Sequence, residues 1–140
     1  MRKYVYAWNK FSESAKLISE ELNTVRIKHE NSNFVGSDKK VVLNWGSSNL
    51  PPEVMKCNII NRPESIALVS NKLEFFRAMD RAGIVVPLFT DDEEVARQWL
   101  REGRPTVART LLNSSGGKGI VMMDTIEDFV SAPLYTQYKK

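Results

Sequence analysis

The sequence predicts an α/β fold, and three observations carry that prediction. Short aromatic and β-branched runs alternate with one-sided apolar stripes through the first third of the chain, the signature of a sheet layered against helices. Further along, two strand-like runs flank a glycine-rich loop, with a strongly patterned helix before them and a last strand after them. Hydrophobic residues make up 42% of the 140, enough to fill a core without metal or disulfide staples.

Tyr4-Val5-Tyr6-Ala7-Trp8 suits a first strand. Phe11, Ala15, Ile18 and Leu22 then recur at the spacing of an amphipathic helix, and Val25 to Lys28 alternates as a short strand does. His29 to Lys40 is polar and without period, a surface loop. Lys40 to Leu43 is a compact strand ending at Asn44-Trp45-Gly46-Ser47-Ser48, and Pro51-Pro52 can continue neither a helix nor a sheet interior. Cys57 to Asn61 is another short strand, and Pro63 stands where a helical first turn tolerates it. Ser70 is placed to cap a helix through Leu73, Phe76 and Met79 to Gly83.

Ile84 to Phe89 is strand-like, with Pro87 pointing to an edge or bulge. Thr90-Asp91-Asp92-Glu93 has the form of a capping box, in which the Thr90 hydroxyl and the Glu93 carboxylate satisfy orphan amides reciprocally. The helix behind it buries Val95, Ala96, Trp99 and Leu100 and ends at Gly103, with acids first and Arg97 and Arg101 late, as the helix dipole favours. Thr106 to Arg109 and Ile120 to Met123 are strands, Thr125 to Phe129 begins a short helix, and Leu134 to Tyr138 is a last strand. The expected division, near Val85 to Thr90, gives units 1–86 and 87–140.

Net charge is +3 with scattered basic residues, which argues against a dedicated nucleic-acid binder. The single cysteine, Cys57, excludes an internal disulfide and points to a reducing cytoplasm. The apolar run after Arg2 and Lys3 is too short for a signal-peptide core, and no segment approaches the ~20 apolar residues of a membrane span, so a cytoplasmic protein without membrane association is expected.

The stretch Asn113-Ser114-Ser115-Gly116-Gly117-Lys118-Gly119 carries the most chemistry. It is neither a P-loop nor a dinucleotide fingerprint, because both lead into a helix and this one leads into a strand. Two readings stand: a hairpin turn rich in Gly and Ser for conformational reasons, or a loop whose bare backbone amides approach an anion while Lys118 adds charge.

The run from Asn61 to Gly119 resembles the ATP-grasp superfamily of carboxylate-amine ligases. The matching residues are Asn61 and Pro63, Ser70-Asn71-Lys72-Leu73, Ala82-Gly83-Ile84-Val85-Val86-Pro87, Arg109, and Ser115-Gly116-Gly117-Lys118-Gly119-Ile120. The nearest look is to the ATP-grasp proteins of tailed bacteriophages, which would place the protein in a host cytoplasm. The resemblance implies a Rossmann-like pre-ATP-grasp domain over 1–86 and a partial ATP-grasp α+β subdomain over 87–140. It implies that Ser114, Ser115, Gly116, Gly117, Lys118 and Gly119 close over the phosphates of ATP. Arg109 stands where the family usually has a phosphate-contacting lysine, and Thr136 and Gln137 stand where the family meets adenine by backbone hydrogen bonds. The family's magnesium ligands belong to a second half beyond residue 140. A truncated or split module follows, one that binds ATP and takes magnesium only when completed, with no catalytic or metal-binding residue assigned here. The alternative is a non-catalytic protein that binds a host factor or a second copy of itself. The terminal strand carrying Tyr135 and Tyr138 is the expected surface for such a partner.

Other candidates are weighed against plainer roles. His29 lies in a polar loop, Cys57 is expected to be a buried thiol, and Lys72 sits in a helical first turn with no chemistry assigned. Asn44 to Ser48 follows a strand, where α/β folds place ligand loops, and is either a substrate-side loop or an ordinary turn. Asp91 to Glu94 is a helix start.

Overall fold

The structure is a computed structural model that describes residues 1–114 and 116–138. The chain divides into two compact units, Met1–Ala67 and Leu68–Lys140. The 86/87 boundary read from the sequence falls inside the second of them.

The first unit is built on a four-stranded parallel sheet in the order β2-β1-β3-β4, with β1 at Arg2–Ala7, β2 at Val25–Arg26, β3 at Lys40–Trp45 and β4 at Asn58–Ile60. Both faces are apolar because both are covered. Val5 and Ala7 pack with Ala15 of helix α1, Glu13–Glu21, while Tyr6 and Val42 pack with Leu50 and with Val54 of helix α2, Pro52–Met55. The stripe predicted for α1 is only half used: Ala15 is buried and Ile18 packs beside it, but Phe11 and Leu22 are exposed. The reason is the cap. The Ser12 side chain accepts from the Ala15 amide, so the helix begins at Glu13 and leaves Phe11 outside, and Leu22 is already the C-cap. Pro51-Pro52 does not exclude a helix either, because Pro52 occupies the first turn of α2, where its missing N–H is no loss.

The second unit carries an antiparallel sheet in the order β5-β8-β6-β7, formed by Phe89–Thr90, Leu134–Gln137, Thr106–Arg109 and Ile120–Met123 respectively. Helix α3, Pro63–Ser70, contains the division between units, and α4 follows at Lys72–Arg81. The cap of α4 is Asn71, whose side chain accepts from the Glu74 amide, because Ser70 is still the last residue of α3. Ile84 to Leu88 forms no strand; only Phe89–Thr90 pairs, since Pro87 has no N–H to give a ladder.

Helix α5, Glu93–Arg101, buries Ala96 and Leu100 and packs Trp99 against the same core, while Val95 faces out. Its N-cap is Asp92, which accepts from the Glu94 amide, in place of the Thr90 to Glu93 box. Thr90 belongs to β5, and its hydroxyl instead accepts from the Asp92 amide. A true capping box occurs at the 3-10 turn Ile126–Asp128, between Thr125 and Asp128, and its hydrogen bonds hold the Asp128 carboxyl below its ordinary pKa. Tyr135 anchors this core: its hydroxyl accepts from Ala132 N at 2.7 Å and donates to Val130 O at 3.1 Å, and burial raises its pKa.

Candidate nucleotide-binding site

Strand register decides which of the sequence-predicted residues meet. Arg109 is the last residue of β6 and stands opposite Ile120 on one side and Leu134 on the other. Antiparallel partners share a face, so Arg109, Ile120 and Leu134 lie on one side of the sheet, with Val107, Met122 and Thr136 two residues along. The opposite face, with Ala108, Met123 and Tyr135, is the one packed on α5. On the Arg109 face, Phe76 of α4 stacks on Phe89 at 5.4 Å, whereas Ile120 and Met122 remain exposed.

The loop that closes the β6–β7 hairpin is tied at its base. Gly119 O accepts from Thr110 N at 2.8 Å and from the Thr110 hydroxyl at 3.2 Å, and Ser114 Oγ donates to Lys118 O at 2.7 Å. Gly116, Gly117 and Gly119 all have positive φ, the region that favours glycine. At Gly119 space matters as well, because a Cβ there would lie 2.9 Å from Leu111 side-chain atoms. Gly116, Gly117 and Lys118 are exposed. Ser115 lies outside the described residues.

Two polar groups in this unit are shut away from solvent without a hydrogen-bond partner among the described residues: Arg109 Nε and Gln137 Nε2. The second borders a cavity of about 520 Å³ lined by Val85, Val86, Pro87, Leu88, Gln137 and Tyr138. The backbone N–H of Gln137 is engaged with Leu88 O at 2.9 Å, and Thr136 is buried between β5 and β6. Since Gln137 pairs with Thr106, three residues from Arg109, the cavity end of the sheet and the loop end are about 10 Å apart.

One contact was not legible in the sequence. The N-terminus of α4 abuts the loop, with Lys72 N donating to Leu112 O at 3.2 Å, so the positive end of that helix dipole lies beside the hairpin. The Lys72 ammonium itself turns back to Val69 O at 2.7 Å. The helix-opening Ser70-Asn71-Lys72 was visible; its neighbour across some forty residues was not.

The remaining candidates have structural partners. Asn44 is fully buried, donating to Ser47 O and Asn61 O and accepting from Ser47 N, so it knits the turn after β3 to the end of β4. Cys57 is half-buried, with Sγ 3.8 Å from Glu53 O. His29 stacks on Tyr6 at 4.8 Å. Among the described residues no group of three His, Cys, Asp or Glu side chains could hold a metal, and no helix is long and apolar enough to cross a membrane.

No family model matches the sequence, and no curated protein matches it. Solved structures do match its fold. D-alanyl-alanine synthetase A from Vibrio cholerae aligns with a TM-score of 0.65 at 14% identity, over 99% of this chain and 60% of that one. A RimK domain ATP-grasp protein from Sphaerobacter thermophilus aligns with a TM-score of 0.58 at 15% identity, over 100% of this chain and 64% of that one. Carboxyaminoimidazole ribonucleotide synthase from Aspergillus clavatus, a structure complexed with ATP, aligns with a TM-score of 0.56 at 12% identity, over 97% of this chain and 47% of that one. The chain spans about half to two thirds of the length of these structures. A parallel α/β layer followed by an antiparallel sheet with a glycine hairpin is thus the fold that this chain shares with these structures.

Proposed function

We propose that the chain is an ATP-grasp-like module that holds the phosphates of ATP on the Arg109 face of its antiparallel sheet. The observation that carries this reading is Arg109 itself. A guanidinium with a solvent-shut, unpartnered Nε is costly unless an anion completes it, and this one stands on the rung that closes a glycine hairpin. Around it, positive-φ glycines keep the loop backbone bare, Lys118 adds charge, and the N-terminus of α4 contributes its dipole. Ser114 belongs to the described part of the same loop. Adenine would lie at the other end of β8, near Thr136 and Gln137 and against the cavity walled by Val85 to Leu88.

Among the described residues no group of three His, Cys, Asp or Glu side chains stands together as an all-protein metal cage. In this reading a further lobe, in the same or a second polypeptide, supplies the metal ligands, and the substrate is selected there. A second reading, a docking role toward another protein as in the phage-like resemblance, draws on Tyr138 with the exposed Ile84, Val85 and Leu88, whereas Tyr135, expected on the same surface, is fully buried on a strand paired on both sides.

The test is calorimetric titration with Mg-ATP. Lys118→Ala and Arg109→Ala are each expected to weaken binding about tenfold or more, the worth of one charge-assisted hydrogen bond, while leaving the circular dichroism spectrum unchanged. Wild-type affinity in both variants would sink the proposal, as would the absence of any saturable heat.

A further inference from the structure

The first unit contains a cavity of about 440 Å³ lined by Lys10, Arg26, Ile27, Lys28, His29 and Glu30. Its residues come from two places that only the parallel pairing of β1 with β2 unites: Lys10 follows β1, and Arg26 to Glu30 end and follow β2. The cavity therefore lies outside the carboxyl ends of two parallel strands, where open α/β sheets take their ligands.

The charges are arranged, not merely near. Arg26 Nη2 donates to Lys10 O at 3.1 Å, which fixes the guanidinium beside the turn after β1. Glu30 is the one carboxylate of the lining, and it is held by Lys10 at 2.9 Å. That pairing leaves the charges of Arg26 and Lys28 uncompensated, and Lys28 has no ion pair or hydrogen bond among the described residues. Ile27 and the His29 ring, held against Tyr6, supply an apolar wall, and His29 Nε2 is shut within that wall without a partner. Two cations in the lining, the tethered Arg26 and the exposed Lys28, beside an apolar wall at a strand end match an anionic group borne on a small carbon skeleton.

We infer that this cavity is a binding site for a small organic oxyanion, a phosphate or carboxylate group, held by Arg26 and Lys28. The inference does not rest on nucleotide binding in the second unit.

His29 is the only histidine in the sequence, so its ring carbon–proton signals are a single reporter in ¹³C-labelled protein. The probes are inorganic phosphate and succinate, each titrated against sodium chloride at constant ionic strength. A saturable shift of the His29 signals with phosphate, succinate or both is expected, and the responding probe identifies the anion class. Arg26→Gln and Lys28→Gln should each weaken it about tenfold, one charge-assisted contact apiece. Lys28→Gln removes no hydrogen bond or ion pair among the described residues, so it remains decisive if Arg26→Gln disturbs the fold. A shift identical to that with chloride, or one that Lys28→Gln leaves at full strength, overturns the assignment. Lys118→Ala should leave the shift unchanged, so failure here and failure of the nucleotide reading are separable.

Discussion

Replacing Gly119 with alanine separates the two reasons for which a loop can require glycine. The first is conformational: φ is +74°, and an L residue in the left-handed region costs about 1–2 kcal/mol. The second is steric. A Cβ at this position would sit 2.9 Å from Leu111 Cβ and Cγ and 3.0 Å from Leu111 N. Because one of these atoms is backbone, rotating the Leu111 side chain does not relieve the clash, and shifting the Leu111 backbone, exposed though its side chain is, costs up to about 1–3 kcal/mol. Together the expected destabilisation is about 2–5 kcal/mol. Gly117 is the internal control, with the same φ of +74° but nothing within 4 Å of its Cβ position, so only the first cost of about 1–2 kcal/mol applies. Urea unfolding followed by circular dichroism reads both: at a slope of about 2 kcal/mol per molar, Gly119→Ala should lower the midpoint by roughly 1–2.5 M and Gly117→Ala by at most about 1 M. Equal midpoints for the two variants would refute the claim that the hairpin is clamped onto Leu111. The same pair bears on function, since Gly119 O is the acceptor for both Thr110 groups at the base of the loop.

Tyr135→Phe leaves the buried Ala132 amide without its acceptor, so a loss of about 1–3 kcal/mol and faster hydrogen exchange at Ala132 are expected. Burial raises the Tyr135 pKa above 10.0, so the neutral phenol is favoured in the folded state. Its stabilisation is complete below pH 10.0 and is lost as pH rises through the folded value, and a urea series in alkaline buffer should show a decline that is shallower in the phenylalanine variant. At the start of α5, Asp92→Ala should cost about 1 kcal/mol and Thr90→Ala less, because Asp92 caps the helix and Thr90 only its approach; the reverse order in thermal melts would restore the Thr90 box.

Local chemistry was the legible part of the fold. Helix α5 declares itself because its acidic first turn, apolar Ala96, Trp99 and Leu100, and late Arg101 all agree with one helix. The hairpin declares itself because two β-branched runs flank glycines with no helical signal after them. The failures lie at boundaries, where neighbouring residues compete for one role. Asn71 displaces Ser70 and Asp92 displaces Thr90 because the preceding helix and strand each run on by one residue. Ile84 to Leu88 reads as a strand by composition, but strand pairing needs a partner, and only Phe89–Thr90 finds one.

The candidate sites divide the same way. The amino-acid sequence by itself determined the α/β class, the glycine hairpin, the capped helix and the residue types able to hold phosphate, because these follow from periodicity and backbone sterics within a few residues. Only the tertiary structure decided that Arg109 faces away from α5 with its Nε unpartnered, that α4 points its N-terminus at Leu112, and that Arg26 fastens to Lys10. Those facts depend on strand register and on which strands lie side by side, which are set by burying whole faces at once and so are written in no single stretch of the chain.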